Sequence, residues 1–146
     1  MFTRSGVGPD QVAIDLTYAP PIFFEATGLR PPPELGARPT LVFMLQETIH
    51  DGALPDQPPA VLLLLDSGAR VDPLDVSVTA SDPHHRTTRL LFPDPDGASA
   101  PAPTHGAGLT VRLVVPFADG TVSAGNTFEW RLPIELEPGG PIGASR

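Results

Sequence analysis
Histidine is the side chain in this chain best suited to metal or proton chemistry, and there are four: His50, His84, His85 and His105. Two of them are adjacent, in SDPHHRTTRLLFP at residues 81–93. Successive strand side chains point to opposite faces, so His84 and His85 can serve one site only from the turn that precedes the strand. Neutral imidazole suits copper, zinc, nickel or iron. Cys is absent, which removes thiolate ligands, thiolate nucleophiles and any disulfide framework. No H-x-x-x-H spacing occurs, so a metal centre would need the fold to gather separate loops. His50 closes one expected strand, while His84 and His85 open another. These three meet at one end if the strands are neighbours, with His105 in a loop as a reserve ligand. The plainer reading makes all four exposed turn residues, with Asp82 beside His84 as a surface pair of little consequence.

Other chemistry is weaker. Asp94 and Asp96 in PDPDG begin like a calcium loop, but continuing the count puts Ala98 where a third ligand is needed and His105 where a bidentate Glu belongs. A Pro-rich turn accounts for them better. GTVSAG around Ser123 has one residue too many before the serine for a nucleophile elbow, and it follows a hairpin-like turn. A hydrolase using a loop serine is therefore the remote alternative, kept because triads are recognised by geometry and not by chain order. The expectation is a protein that is not an enzyme and needs no cofactor.

Composition narrows the partners. The nine basic residues are all Arg and Lys is missing, which excludes Schiff-base chemistry, a Ser-Lys dyad and a P-loop lysine. A formal charge of −8 repels phosphate backbones, and the arginines are scattered singly, so nucleic acid is not an expected partner. The apolar run AVLLLL at residues 60–65 falls far short of the ~20 residues that cross a bilayer as a helix. MFTRSGVGPDQ lacks the apolar stretch of a secretory signal, and the compartment stays open. With 20 prolines in 146 residues, long helices are not expected.

The elements that must position these residues are strands. QVAIDLTY (11–18) alternates, with Val12, Ile14, Leu16 and Tyr18 on one side; TLVFMLQE (40–47) is apolar on both faces until Gln46, as a central strand should be. AVLLLL (60–65) ends at the turn-forming DSG of residues 66–68, and LDVSVT (74–79), RTTRLLF (86–92) and LTVRLVV (109–115) follow. In TFEWRLPIEL, Phe128, Trp130, Leu132, Ile134 and Leu136 form one apolar stripe, which makes Trp130 a core aromatic sooner than a ligand platform. Pro133 cannot donate a ladder hydrogen bond and places this strand at a sheet edge or leaving the sheet. About seven strands predict a two-sheet, immunoglobulin-like sandwich, with a small antiparallel barrel as runner-up. The expected boundaries are a flexible N-terminus at 1–10, one domain at 11–136 and a Pro/Gly tail at 137–146.

The strings ETIHDGAL, LLDSG, HHRTTRLLFP and FEW together resemble small bacterial β-sandwich domains with a Thr-His, Asp-Gly, His-His-Arg and Phe-x-Trp pattern. The resemblance spans about residues 39–134. It implies a sandwich and an extracytoplasmic setting, names no reaction, and singles out His50, Asp66, His84, His85, Arg86 and Trp130. Two departures stand out: Ile49 separates Thr48 from His50, and Ser67 separates Asp66 from Gly68. Copper-handling sandwiches are a more distant comparison, whose Met-rich loop and N-terminal histidine this chain lacks. The functional expectation is a non-catalytic accessory module that presents an edge strand or Pro-rich loops to a protein partner. The alternative is a copper or zinc domain with His50, His84 and His85 as ligands.

Overall fold
Alternation becomes layering in the computed structural model, which describes residues 2–8, 12–33, 40–94, 109–116 and 126–132. Among the described residues, nine strands and one short helix follow in the order β1 (Thr3–Val7), β2 (Ala13–Tyr18), α1 (Pro21–Thr27), β3 (Thr40–Thr48), β4 (Leu62–Leu65), β5 (Arg70–Val71), β6 (Asp75–Ser81), β7 (His85–Pro93), β8 (Leu109–Val114) and β9 (Thr127–Leu132). They make two open antiparallel sheets, β1-β2-β3-β7-β6 and β5-β4-β8-β9. The fold is all-β and sandwich-like; it does not close into the barrel held as runner-up. No helix among the described residues is long and apolar enough to cross a membrane.

Period-two parity decides what is buried. Ile14, Leu16 and Tyr18 of β2, Leu41, Phe43 and Leu45 of β3, and Leu90 and Phe92 of β7 all face the second sheet, which answers with Leu63, Val111, Leu113, Phe128, Trp130 and Leu132. Burying each such side chain contributes roughly 1.5–3 kcal/mol. Trp130 sits at the centre, its ring 5.1 Å from that of Phe43 and its indole N–H donating to the carbonyl of Phe2 at 2.9 Å.

Several expectations shift. The domain begins before residue 11: β1 hydrogen-bonds to β2 from Thr3 to Val7. The connector after Tyr18 contains α1, entered through Pro20 and Pro21 and stopped by Gly28 at φ 73°, the arrangement that Pro at a helix start and Gly at its end favour. Phe23 and Phe24 of this helix cover Ala19, Val42 and Leu91 on the outer face of the five-stranded sheet. Among the described residues β9 stands at a sheet edge, one of the two places expected for this strand; Pro133 itself, Ile134, Leu136 and the tail at 137–146 lie outside the described residues.

Tyr18 offers a clean test of the core. It is 1% exposed and its hydroxyl finds no hydrogen-bond partner among the described residues. Burial, helped by the negative charge of Asp94, pushes the phenol well above its ordinary value of 10.0. The sign follows: a raised acid favours the folded state fully below the unfolded value, and that contribution is lost as pH rises beyond about 10. Because the chain has a single Tyr, its ultraviolet absorbance reports this group alone. Tyrosinate absorbance is expected to stay silent as pH passes 10 and to rise only together with loss of the circular-dichroism signal of the fold. A smooth titration near 10 in the folded protein would contradict the burial.

Candidate functional site
The histidine doublet straddles the end of the hairpin turn between β6 and β7: His84 lies in the turn, whereas His85 is already the first residue of β7 and not a turn residue as expected. Asp82 builds that turn: its Oδ1 accepts the backbone N–H groups of His84 and His85, each at 2.8 Å, and its own N–H donates to the carbonyl of His85 at 2.8 Å. These two backbone donors hold the Asp82 carboxyl below the usual carboxylate range. The ring next to Asp82 belongs to His85, with Nδ1 3.4 Å from Oδ1, and not to His84 as the spacing suggested. Both side chains are exposed, so the pair is a surface contact.

β3 and β7 are neighbours, and Thr48 faces His85 in their register. Ile49 donates its N–H to the carbonyl of His84 at 3.0 Å, which brings the backbones of residues 49–50 and 84–85 to one end of the five-stranded sheet. Among the described residues, however, no three His, Asp or Glu side chains are grouped so as to hold a metal ion. His105, Ser123 and Asp96 lie outside the described residues. Asp66 occupies the β4–β5 turn, where Gly68 at φ 87° supplies the left-handed backbone. Its carboxylate meets Arg112 at 3.1 Å on the surface.

Arg86 points the other way, into the sandwich. Its Nε and Nη2 donate to Oε1 and Oε2 of Glu47 at 2.8 and 2.9 Å, a two-pronged pair in which the side chains are only 4% and 3% exposed. Nη1 donates to the carbonyl of Pro55 at 2.6 Å and Nη2 to that of Gln57 at 3.1 Å. One guanidinium thus ties two strands to the connector that follows His50. That is an architectural task and involves no reacting group. Glu47 was missed in the sequence, although it shares the inward parity of Leu41, Phe43 and Leu45, as Arg86 shares that of Leu90 and Phe92.

The edges of the sheets differ in kind. At β1, the Arg4 guanidinium donates from Nε to the Glu129 carbonyl of β9 at 3.1 Å and lies 5.6 Å from the Trp130 ring centre, closing the gap between sheets. β5 is two residues long. β9 displays the charged, exposed Glu129 and Arg131. β6 is less protected: among the described residues it pairs only with β7, its one charged side chain is Asp75 at its first position, and Val76 and Val78 are 44% and 46% exposed, in line with Leu74 at 42%. By register with Leu90 and Thr88, the two valines project on the side of the second sheet but beyond its cover. A register shift between Val78 and Ala80 bends the strand near its end. Asp75 opens the strand and Asp72 and Asp82 flank it, all exposed.

No protein-family model, curated protein or solved structure matches this chain.

Proposed function
We propose that this sandwich is a non-catalytic interaction module that accepts an extended segment of another protein as a sixth strand beside β6. The observation that carries the reading is the contrast between edges: exposed apolar edges invite pairing, and proteins ordinarily blunt them with charge, shortness or cover. β1, β5 and β9 carry such devices, whereas β6 has a charge only at its first residue, Asp75, and among the described residues presents an unpaired edge and the stripe Leu74, Val76, Val78. Strand addition draws affinity from main-chain hydrogen bonds and specificity from alternate side chains. Covering a half-exposed valine contributes on the order of 1 kcal/mol. The acidic residues at both ends of β6, in a chain of net charge −8, select a segment whose apolar residues are flanked by basic ones.

A synthetic peptide of alternating Val and Thr with Lys at each end is the probe. The expected result is slowed amide exchange and shifted backbone resonances across residues 75–81, abolished in a Val76→Lys, Val78→Lys variant. Unchanged β6 amides at millimolar peptide would defeat the proposal. Slowed β6 exchange in the protein alone, rising with protein concentration alongside dimer formation in the ultracentrifuge, would replace the partner by a second copy of the chain.

A further inference from the structure
On the opposite face of the five-stranded sheet from β6's valines, the chain builds a cleft. Gly28 turns the backbone out of α1, and the stretch Leu29–Pro33 then passes back over β3. Three successive prolines make this wall stiff, because each fixes its φ near −65°. Between wall and sheet lies a space of about 490 Å³, within the range of roughly 300–1,000 Å³ in which small ligands are held. Phe23, Phe24, Val42 and Met44 line it, and methionine is the apolar side chain most able to adapt its shape to a guest.

The charge of the lining runs against the composition. Acids outnumber arginines 17 to 9 in the chain, yet among the described residues the charged ones bordering the cleft are Arg30 and Arg89, with no carboxylate. Arg89 is steadied by Asp75, Nη2 to Oδ2 3.4 Å, with its side chain 27% exposed. Arg30 is exposed and makes no ion pair with a described residue. An apolar trough with an available guanidinium at its border matches one ligand chemistry: an aliphatic chain ending in an anion.

We infer that this cleft binds a medium-chain monocarboxylate, the alkyl chain lying between the α1 phenylalanines and Met44 and the carboxylate meeting Arg30. Guanidinium binds carboxylate through paired N–H donors, more strongly than a neutral pair. The inference is independent of the β6 reading, since the apolar stripe of β6 lies on the other side of the sheet.

The test uses the full chain and decanoate below its micelle-forming concentration, with decanol and acetate as controls, followed by titration calorimetry and backbone resonance shifts. Decanoate is expected to shift resonances of Val42, Met44 and Phe23 and to bind about tenfold more tightly than decanol, the scale of one charge-assisted hydrogen bond. Acetate, lacking the chain, should not compete. Arg30→Gln should remove the preference for decanoate over decanol while leaving decanol binding intact; because Arg30 is exposed, this variant does not threaten the fold. Equal affinity for the acid and the alcohol in the unaltered protein would overturn the inference, as would shifts confined to other faces or no binding at millimolar decanoate.

Discussion

Arg86→Ala is expected to cost about 3–5 kcal/mol of stability, the range found when one member of a buried ion pair is removed. The loss has two physical parts. Glu47, 3% exposed, would be left buried with no cation beside it, and the carbonyls of Pro55 and Gln57 would lose their donors. Most of the cost therefore belongs to the stranded partners and not to the net value of the pair. A double variant, Arg86→Met with Glu47→Leu, removes both charges together and should recover much of the loss, although the two carbonyls still need water. The measurement is denaturant unfolding, followed by the fluorescence of Trp130, the single tryptophan. Faster amide exchange at residues 49–57 should accompany the Arg86 variant, because the connector loses its tie. A single variant that costs less than about 1 kcal/mol, within the scale of exposed pairs, would show that water reaches this pair.

Trp130→Ala should be comparably severe, about 3–5 kcal/mol, as large aromatic truncations in packed cores are. Here the expected cavity lies between the two sheets, beside Phe43, and it also releases the β1 side of the sandwich. The carbonyl of Phe2 loses its indole donor, and Arg4 loses the ring face beneath it. The distinctive readout is consequently local: amide exchange across Thr3–Val7 should accelerate more than across β8. Unfolding must be followed by circular dichroism, since the variant has no tryptophan. Trp130→Phe should cost less, retaining the ring contact with Phe43 but not the hydrogen bond. If β1 exchange is unaffected in either variant, the link from the core through Phe2 and Arg4 to the sheet edge is wrong.

These two residues illustrate what the sequence makes legible. Trp130 stands in a period-two stripe with Phe128 and Leu132, and burial of that stripe follows from strand geometry alone. The same parity arithmetic contained Glu47 and Arg86, since each ends an inward-facing series with a charge of opposite sign; knowing which strands neighbour each other was the missing step. β1 was hidden for a different reason. Its side chains alternate between exposed and half-exposed, so backbone pairing to β2 holds it, and no apolar pattern records that. β5 is too short to carry a period. The helix in the connector was readable from its punctuation, Pro20 and Pro21 before and Gly28 after, but the surrounding proline density concealed it.

The histidine turn follows the same logic. Its place at the entry to β7 was legible, although the strand begins one residue earlier than expected, at His85. The identity of the Asp82 contact was not, since a turn's hydrogen bonds depend on backbone angles that residue types only bias.

The sealing of β1 by Arg4 has a consequence for stoichiometry. A domain with two open rims can be added head to tail without limit, and repeated addition of that kind produces filaments. Here the β1 rim is tied to the facing layer through Arg4 and Glu129, so on the proposed reading a segment added beside β6 would meet no second rim of the same kind among the described residues. Growth by strand addition would then end at a valence of one.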